Sequence, residues 1–156
     1  VSGLGLCIRL YVIIPEELRK YEIELPDTGG LSLEERIRLL DELLEKAQTE
    51  PISFEPNSAD IALTAMVTVA KLARVLRAFP DIPVRCEGHG KGRPAENNDA
   101  KVKVSQVRAN AVRSALQRDG VENEIECVGH GCSQGLGMCV RLSAVAGRAC
   151  AGAAQS

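Results

Sequence analysis

Apolar positions along the chain change period several times, and each change marks an element. Residues 6–14 (LCIRLYVII) are rich in β-branched and aromatic residues and predict a strand. Residues 20–25 (KYEIEL) alternate and predict a second. Pro26, Asp27, Gly29 and Gly30 then break the chain. Ser32 followed by Glu35 forms a capping box, and Leu33, Ile37, Leu40 and Leu44 recur at helical spacing, with Leu39 and Leu43 widening the stripe. This predicts a helix over 33–48. Residues 1–50 thus make a small ββα extension whose apolar face needs a partner.

Pro51 opens a second unit. Residues 51–54 (PISF) predict a short strand, and 55–61 (EPNSADI) a loop. A helix over 63–79 carries Met66, Val69, Leu72, Ala73 and Leu76 on one stripe, and Pro80 and Pro83 end it. Residues 83–88 (PVRCEG) predict a strand with Val84 and Cys86 toward the core and Arg85 and Glu87 outward. A Gly/Pro/Asn loop over 88–99 leads to a helix over 100–118, with Val104, Val107, Ala111 and Leu116 inward and Gly120 as its stop. Residues 124–128 (EIECV) and 137–142 (GMCVRL) predict two last strands, and 143–156 an irregular Ala/Gly-rich tail. From Pro51 the order is β-α-β-α-β-β, an α+β two-layer sandwich with a mixed four-stranded sheet over 51–142.

Composition narrows the function classes. The chain has 156 residues, 45% of them hydrophobic, so it can bury a core. Phe54, Phe79, Tyr11 and Tyr21 are its only aromatics, which leaves the core aliphatic and removes the stacking platforms that single-stranded nucleic acids need. A net charge of −2 also argues against nucleic acid as a partner. No apolar run approaches the ~18 residues of a membrane span. Val1 rather than Met opens the chain, and no basic segment precedes an apolar one. Both suggest a mature or trimmed product whose targeting segment is missing. Cys7, Cys86, Cys127, Cys132, Cys139 and Cys150 are irregularly spaced and read as buried free thiols, with a Cys132–Cys139 bridge as the alternative.

Particular words at particular places carry a resemblance. PISFEPNSA (51–59) reads as a strand, an aromatic and a Ser-Ala before a helix. VRCEGH (84–89) is a strand ending in Gly-His, and VSQVRANAV (104–112) resembles Leu-Ser-x-x-Arg-Ala-x-x-Val. Gly120-Val121, VGHG (128–131) and CVRL (139–142) complete the ordered set. Together they resemble the OmpA-like domain. The resemblance implies a non-catalytic fold that holds the diaminopimelate side chain of peptidoglycan. An Asp two residues after the Gly-His receives the ammonium, and the helix Arg receives the carboxylate. A zwitterion needs one anion and one planar cationic fork at fixed separation.

Here that pattern is half broken. Arg108 stands at the Arg position, but Lys91 occupies the position of the acid, and the usual Asn falls on Lys101. A lost charge partner and a gained like charge cost a few kcal/mol, on the order of a hundredfold in affinity. Asn97, Asn98, Asp99 and Glu96 are the polar loop residues available as substitutes. The candidate ligand site is therefore Arg108, Lys91, His89, Asn98 and Asp99, in degenerate form.

Three other constellations carry chemistry. Cys86-Glu-Gly-His89 and Cys127-Val-Gly-His130 repeat a Cys-x-x-His word that invites a zinc reading. Residues three apart on a strand point to opposite faces, however, which disfavours a shared ion. Gly88, Gly90 and Gly92 interleaved with His89, Lys91 and Arg93 suggest a weak anion cradle or a solvated tight loop. The histidines beside strand cysteines raise a nucleophile–base pairing, against which the thiols read as buried and inert. The expectation is a non-enzyme with no cofactor: an accessory or scaffolding subunit of a larger membrane-associated assembly, with protein subunits as partners. The cysteine content suggests a eukaryotic organelle, mitochondrion or plastid. The alternative is a peptidoglycan-binding anchor in a bacterial envelope, acting through Arg108.

Overall fold

The computed structural model describes residues 23–132 and 139–145. The strand expected at 6–14 and the start of the one expected at 20–25 lie outside the described residues, and 23–25 are not in a strand. Helix α1 spans Leu33–Ala47. Its capping box is formed: the Ser32 hydroxyl accepts from the Glu35 N–H, and the Glu35 carboxylate accepts from the Ser32 N–H at 2.7 Å. The apolar stripe of α1 buries Leu40, Leu43, Leu44 and Ala47 within the same core as the rest of the chain. The partner that this face needs is therefore the following unit.

A 3₁₀ turn at Leu63–Ala65 leads into α2, Met66–Ala78, which buries Val69, Leu72, Ala73, Val75 and Leu76. Met66, expected on that stripe, is instead exposed. Strand β1 is Val84–His89, α3 is Asp99–Arg118, β2 is Ile125–Gly129 and β3 is Cys139–Ala144. The sheet order is β2-β1-β3. β1 pairs parallel with β2 and antiparallel with β3. The parallel pair is joined through α3, which packs across β1 and β2. α1 lies beside β3, and α2 touches both other helices. The result is a helix layer on a mixed sheet, the expected α+β sandwich.

Among the described residues the sheet has three strands rather than four. Residues 51–54 contribute one bridge to the sheet, Ile52 to Val140, at the edge where the fourth strand was expected, while Phe54 bridges to Ile61 outside it. Two causes are visible. The backbone of 53–62 folds on itself, with Ala62 N donating to Ser53 O and Glu55 N to Asp60 O. Side chains of α1 also satisfy the edge of β3. Gln48 donates to the Leu142 carbonyl at 2.7 Å and accepts from the Leu142 N–H at 2.6 Å, and Asp41 accepts from the Ala144 N–H. An exposed edge is a liability, and a covering helix relieves it. β3 runs to Ala144, so the first two residues of the expected tail are in the sheet.

The inward face of α3 also differs from expectation. Leu116 is buried, but Val104 and Val107 are about half exposed, at 52% and 47%. The buried face is Ser105, Arg108, Ala109, Val112, Ala115 and Leu116. Small residues sit there because the sheet comes very close. A Cβ on Gly88 would run into the Ser105 carbonyl, and one on Gly129 into the backbone of Val102 and Gln106. The helix ends as expected at Gly120, whose positive φ lets the Val121 N–H reach back to the Leu116 carbonyl.

Candidate functional site

Alternation along β1 sorts its side chains. Val84 and Cys86 face the helix layer and are fully buried. Arg85 and Glu87 face the open side, where Arg85 meets Glu126 at 3.1 Å. His130 Nε2 lies 3.0 Å from Glu87 Oε1, and Arg141 meets Glu45 at 3.2 Å. Glu45, Glu87, His89, His130, Arg141 and Ser143 surround a polar cleft of about 290 Å³ there.

The two Cys-x-x-His words do not converge. Cys86 and Cys127 are directly paired across β1 and β2, and both sulfurs lie 3.5 Å from the Ala109 carbonyl on α3. His89 and His130 instead stack on each other, with centroids 5.1 Å apart. Among the described residues no group of three or more His, Cys, Asp or Glu is arranged to hold a metal ion. Hydrogen bonding from Cys86 lowers the Cys127 thiol to about 7, aided by Arg113, while the Cys86 thiol is pushed well up by the same bond and by burial. We take Cys127, the more exposed of the two, as the thiol that ionises first. Cys132 and Cys139 are both free, so the alternative bridge between them is absent. Burial lowers the His89 pKa, and the neighbouring His130 adds to the shift. His89 Nδ1 is buried without a hydrogen-bond partner.

The larger opening lies at the C-terminal end of β1, against the first turns of α3. It is a groove of about 800 Å³, with Lys91, Lys101, Lys103 and Arg108 in its lining. Ala59, Ala100, Val104 and Val107 supply its apolar wall. His89 lies between the two openings and lines both. Arg108 is only 6% exposed. Its Nε donates to the Ser58 carbonyl at 3.1 Å, and its guanidinium sits 5.2 Å from the Phe54 ring centroid. Ser105, one helical turn earlier, donates to the Val102 carbonyl and accepts from the Gly131 N–H, pinning the loop after β2 to α3.

The structure brings Arg108, Lys91 and His89 to one groove and leaves Asn98 and Asp99 outside its lining. Asn98 caps α3 by accepting from the Lys101 N–H, and Asp99 is the first residue of that helix. Asn97 bonds to His130 O and Cys132 N, and Glu96 is held by Arg93. Among the described residues no Asp or Glu lines the groove. Sequence reasoning missed Lys103, the Ser58 carbonyl and the Phe54 platform. The spacing of Lys103, Val107 and Arg108 on one helix was the available signal.

A family model described as the OmpA family matches residues 53–137, more than half of the chain. The chain belongs to the OmpA family. Among solved structures, the fold is similar to an outer membrane protein from Borrelia burgdorferi B31. That similarity has a TM-score of 0.53 at 23% identity, over 60% of this chain and 83% of that one. No curated protein matches the chain. OmpA-family membership accounts for the layered α+β core and the Gly-His strand ends. No helix among the described residues is long and apolar enough to cross a membrane.

Proposed function

We propose that this OmpA-family chain is a non-catalytic accessory or scaffolding subunit of a larger, membrane-associated assembly, with the diaminopimelate-binding pair of the family degraded. The observation that carries this reading is Lys91 at the acid's position in a groove that no carboxylate lines among the described residues. An incoming ammonium meets a like charge and finds no anion. The burial of α1 against its own domain removes one reason for expecting a partner, so the weight falls on the groove. The organelle placement has no support in the comparisons. A bacterial envelope is favoured, because the family and the structural neighbour both point there.

A second reading has one observation behind it. Arg108 forms no salt bridge among the described residues and lines the groove, as a carboxylate receptor for a wall peptide would. Co-sedimentation with purified diaminopimelate-type sacculi separates the two. The scaffold reading expects the chain to stay in the supernatant. Pelleting that disappears in Arg108→Ala establishes the anchor reading instead.

A further inference from the structure

An arginine only 6% exposed and without a carboxylate is costly, and natural proteins pair or solvate such charges. Arg108 has one carbonyl and one aromatic face, and no ion pair among the described residues. Lys91 and Lys103, both exposed, also lack a carboxylate partner there. Lys101 is partly engaged, with Nζ 3.9 Å from the Cys132 thiol and the Glu96 carboxylate nearby. Three cations thus face one groove of about 800 Å³, within the range of sites that enclose a ligand. The wall between them is made of small apolar side chains, Val104 and Val107 foremost.

We propose that the groove takes an acidic peptide segment of a partner protein. One carboxylate docks on the Arg108 fork, a second lies between Lys91 and Lys103, and a small aliphatic side chain rests on Val104 and Val107. This rests on the scaffold reading above and names the chemistry of the partner. A planar guanidinium matches a carboxylate in two parallel hydrogen bonds. The valine wall suits a peptide side chain better than a bare anion. Nucleic acid is disfavoured because the described rings around the groove are committed: Phe54 lies under Arg108, Phe79 is buried, and His89 is buried and stacked on His130. A site built for a zwitterion offers one anion and one cation, whereas the charged side chains described in this groove are all cations.

Fluorescence anisotropy on the whole chain tests this with a short labelled peptide carrying two glutamates around a valine. Controls are the glutamine version of that peptide, inorganic phosphate and a thymidine oligonucleotide. The acidic peptide binds, and the glutamine version binds at least about tenfold more weakly. Arg108→Gln weakens binding by about thirtyfold or more. Because Arg108 is buried, the decisive variants are the exposed ones, Lys91→Glu and Lys103→Glu. Each lowers affinity about fivefold, with an unchanged circular dichroism spectrum. Equal affinity for the glutamine peptide, or no loss in either exposed variant, overturns the proposal. So does an oligonucleotide or phosphate that competes as well as the unlabelled acidic peptide. If neither the acidic peptide nor sacculi bind, this inference fails and the scaffold reading stands. Arg108-dependent pelleting with sacculi and no peptide binding overturns both.

Discussion

The open face of the sheet and the groove at its end both carry basic side chains, and they treat them differently. On the open face, Arg85, Arg141 and His130 each meet a carboxylate within 3.2 Å. In the groove, Lys91, Lys103 and Arg108 meet none among the described residues. The paired charges are part exposed, where each pair contributes at most about 1 kcal/mol. The unpaired ones include the most buried arginine of the two regions, where lack of a partner costs more. Stability alone does not account for Arg108. Its arrangement makes sense as a receptor for something that arrives from outside.

The largest effect is expected where the two regions join. Gly88→Ala places a methyl in the Ser105 carbonyl and pushes β1 off α3, costing about 3 kcal/mol in urea unfolding. A near-neutral result would mean that strand and helix are less tightly apposed than described. On the open face, Glu87→Ala takes away the His130 partner and should cost about 0.5–1 kcal/mol by the same measurement. In the groove the sign reverses. Arg108→Met exchanges an unpaired buried charge for an apolar chain, and unfolding stability should hold or rise by up to about 1 kcal/mol. A marked loss would show that Arg108 is structural and erase the contrast.

The smallest expected effect is a slope. Burial holds the His89 pKa below its ordinary 6.5, so below that pH the unfolded chain binds the proton more readily than the folded one. The His89 contribution is therefore complete above about pH 6.5 and is lost as the pH falls through the window toward the lowered folded value. His89→Phe keeps a ring against His130 and should flatten that part of the stability–pH curve. An unchanged slope would assign it to another group.

Much of this fold was legible from periodicity alone. The three helices, the alternation that puts Cys86 inward and Glu87 outward, and the stop at Gly120 all follow from residue types and spacing. Two features did not. The strand at Ile52 shrinks to one bridge with the sheet because Asp41 on α1 and Gln48 at its C-cap take backbone groups of β3, and no local pattern signals that exchange. The orientation of α3 misleads because its buried face is built of Ser105, Ala109 and Ala115. Close contact with Gly88 and Gly129 demands small residues, so the larger valines turn toward the groove. Lys91 and Arg108 were legible as a broken pair through the family resemblance. The lack of a described carboxylate in the groove was not, because Glu96 is near in sequence but is held by Arg93.

The central claim is that a cation replaces the anionic half of the pair, leaving a groove of cations alone. Isothermal titration of the wild-type chain and of Lys91→Asp, each against the two-glutamate peptide and a diaminopimelate-containing stem peptide, tests it directly. The wild type should bind the acidic peptide and ignore the stem peptide, and Lys91→Asp should lose the first and gain the second. Wild-type binding to the stem peptide, weakened rather than created by freeing the ammonium site of its lysine, would contradict the account.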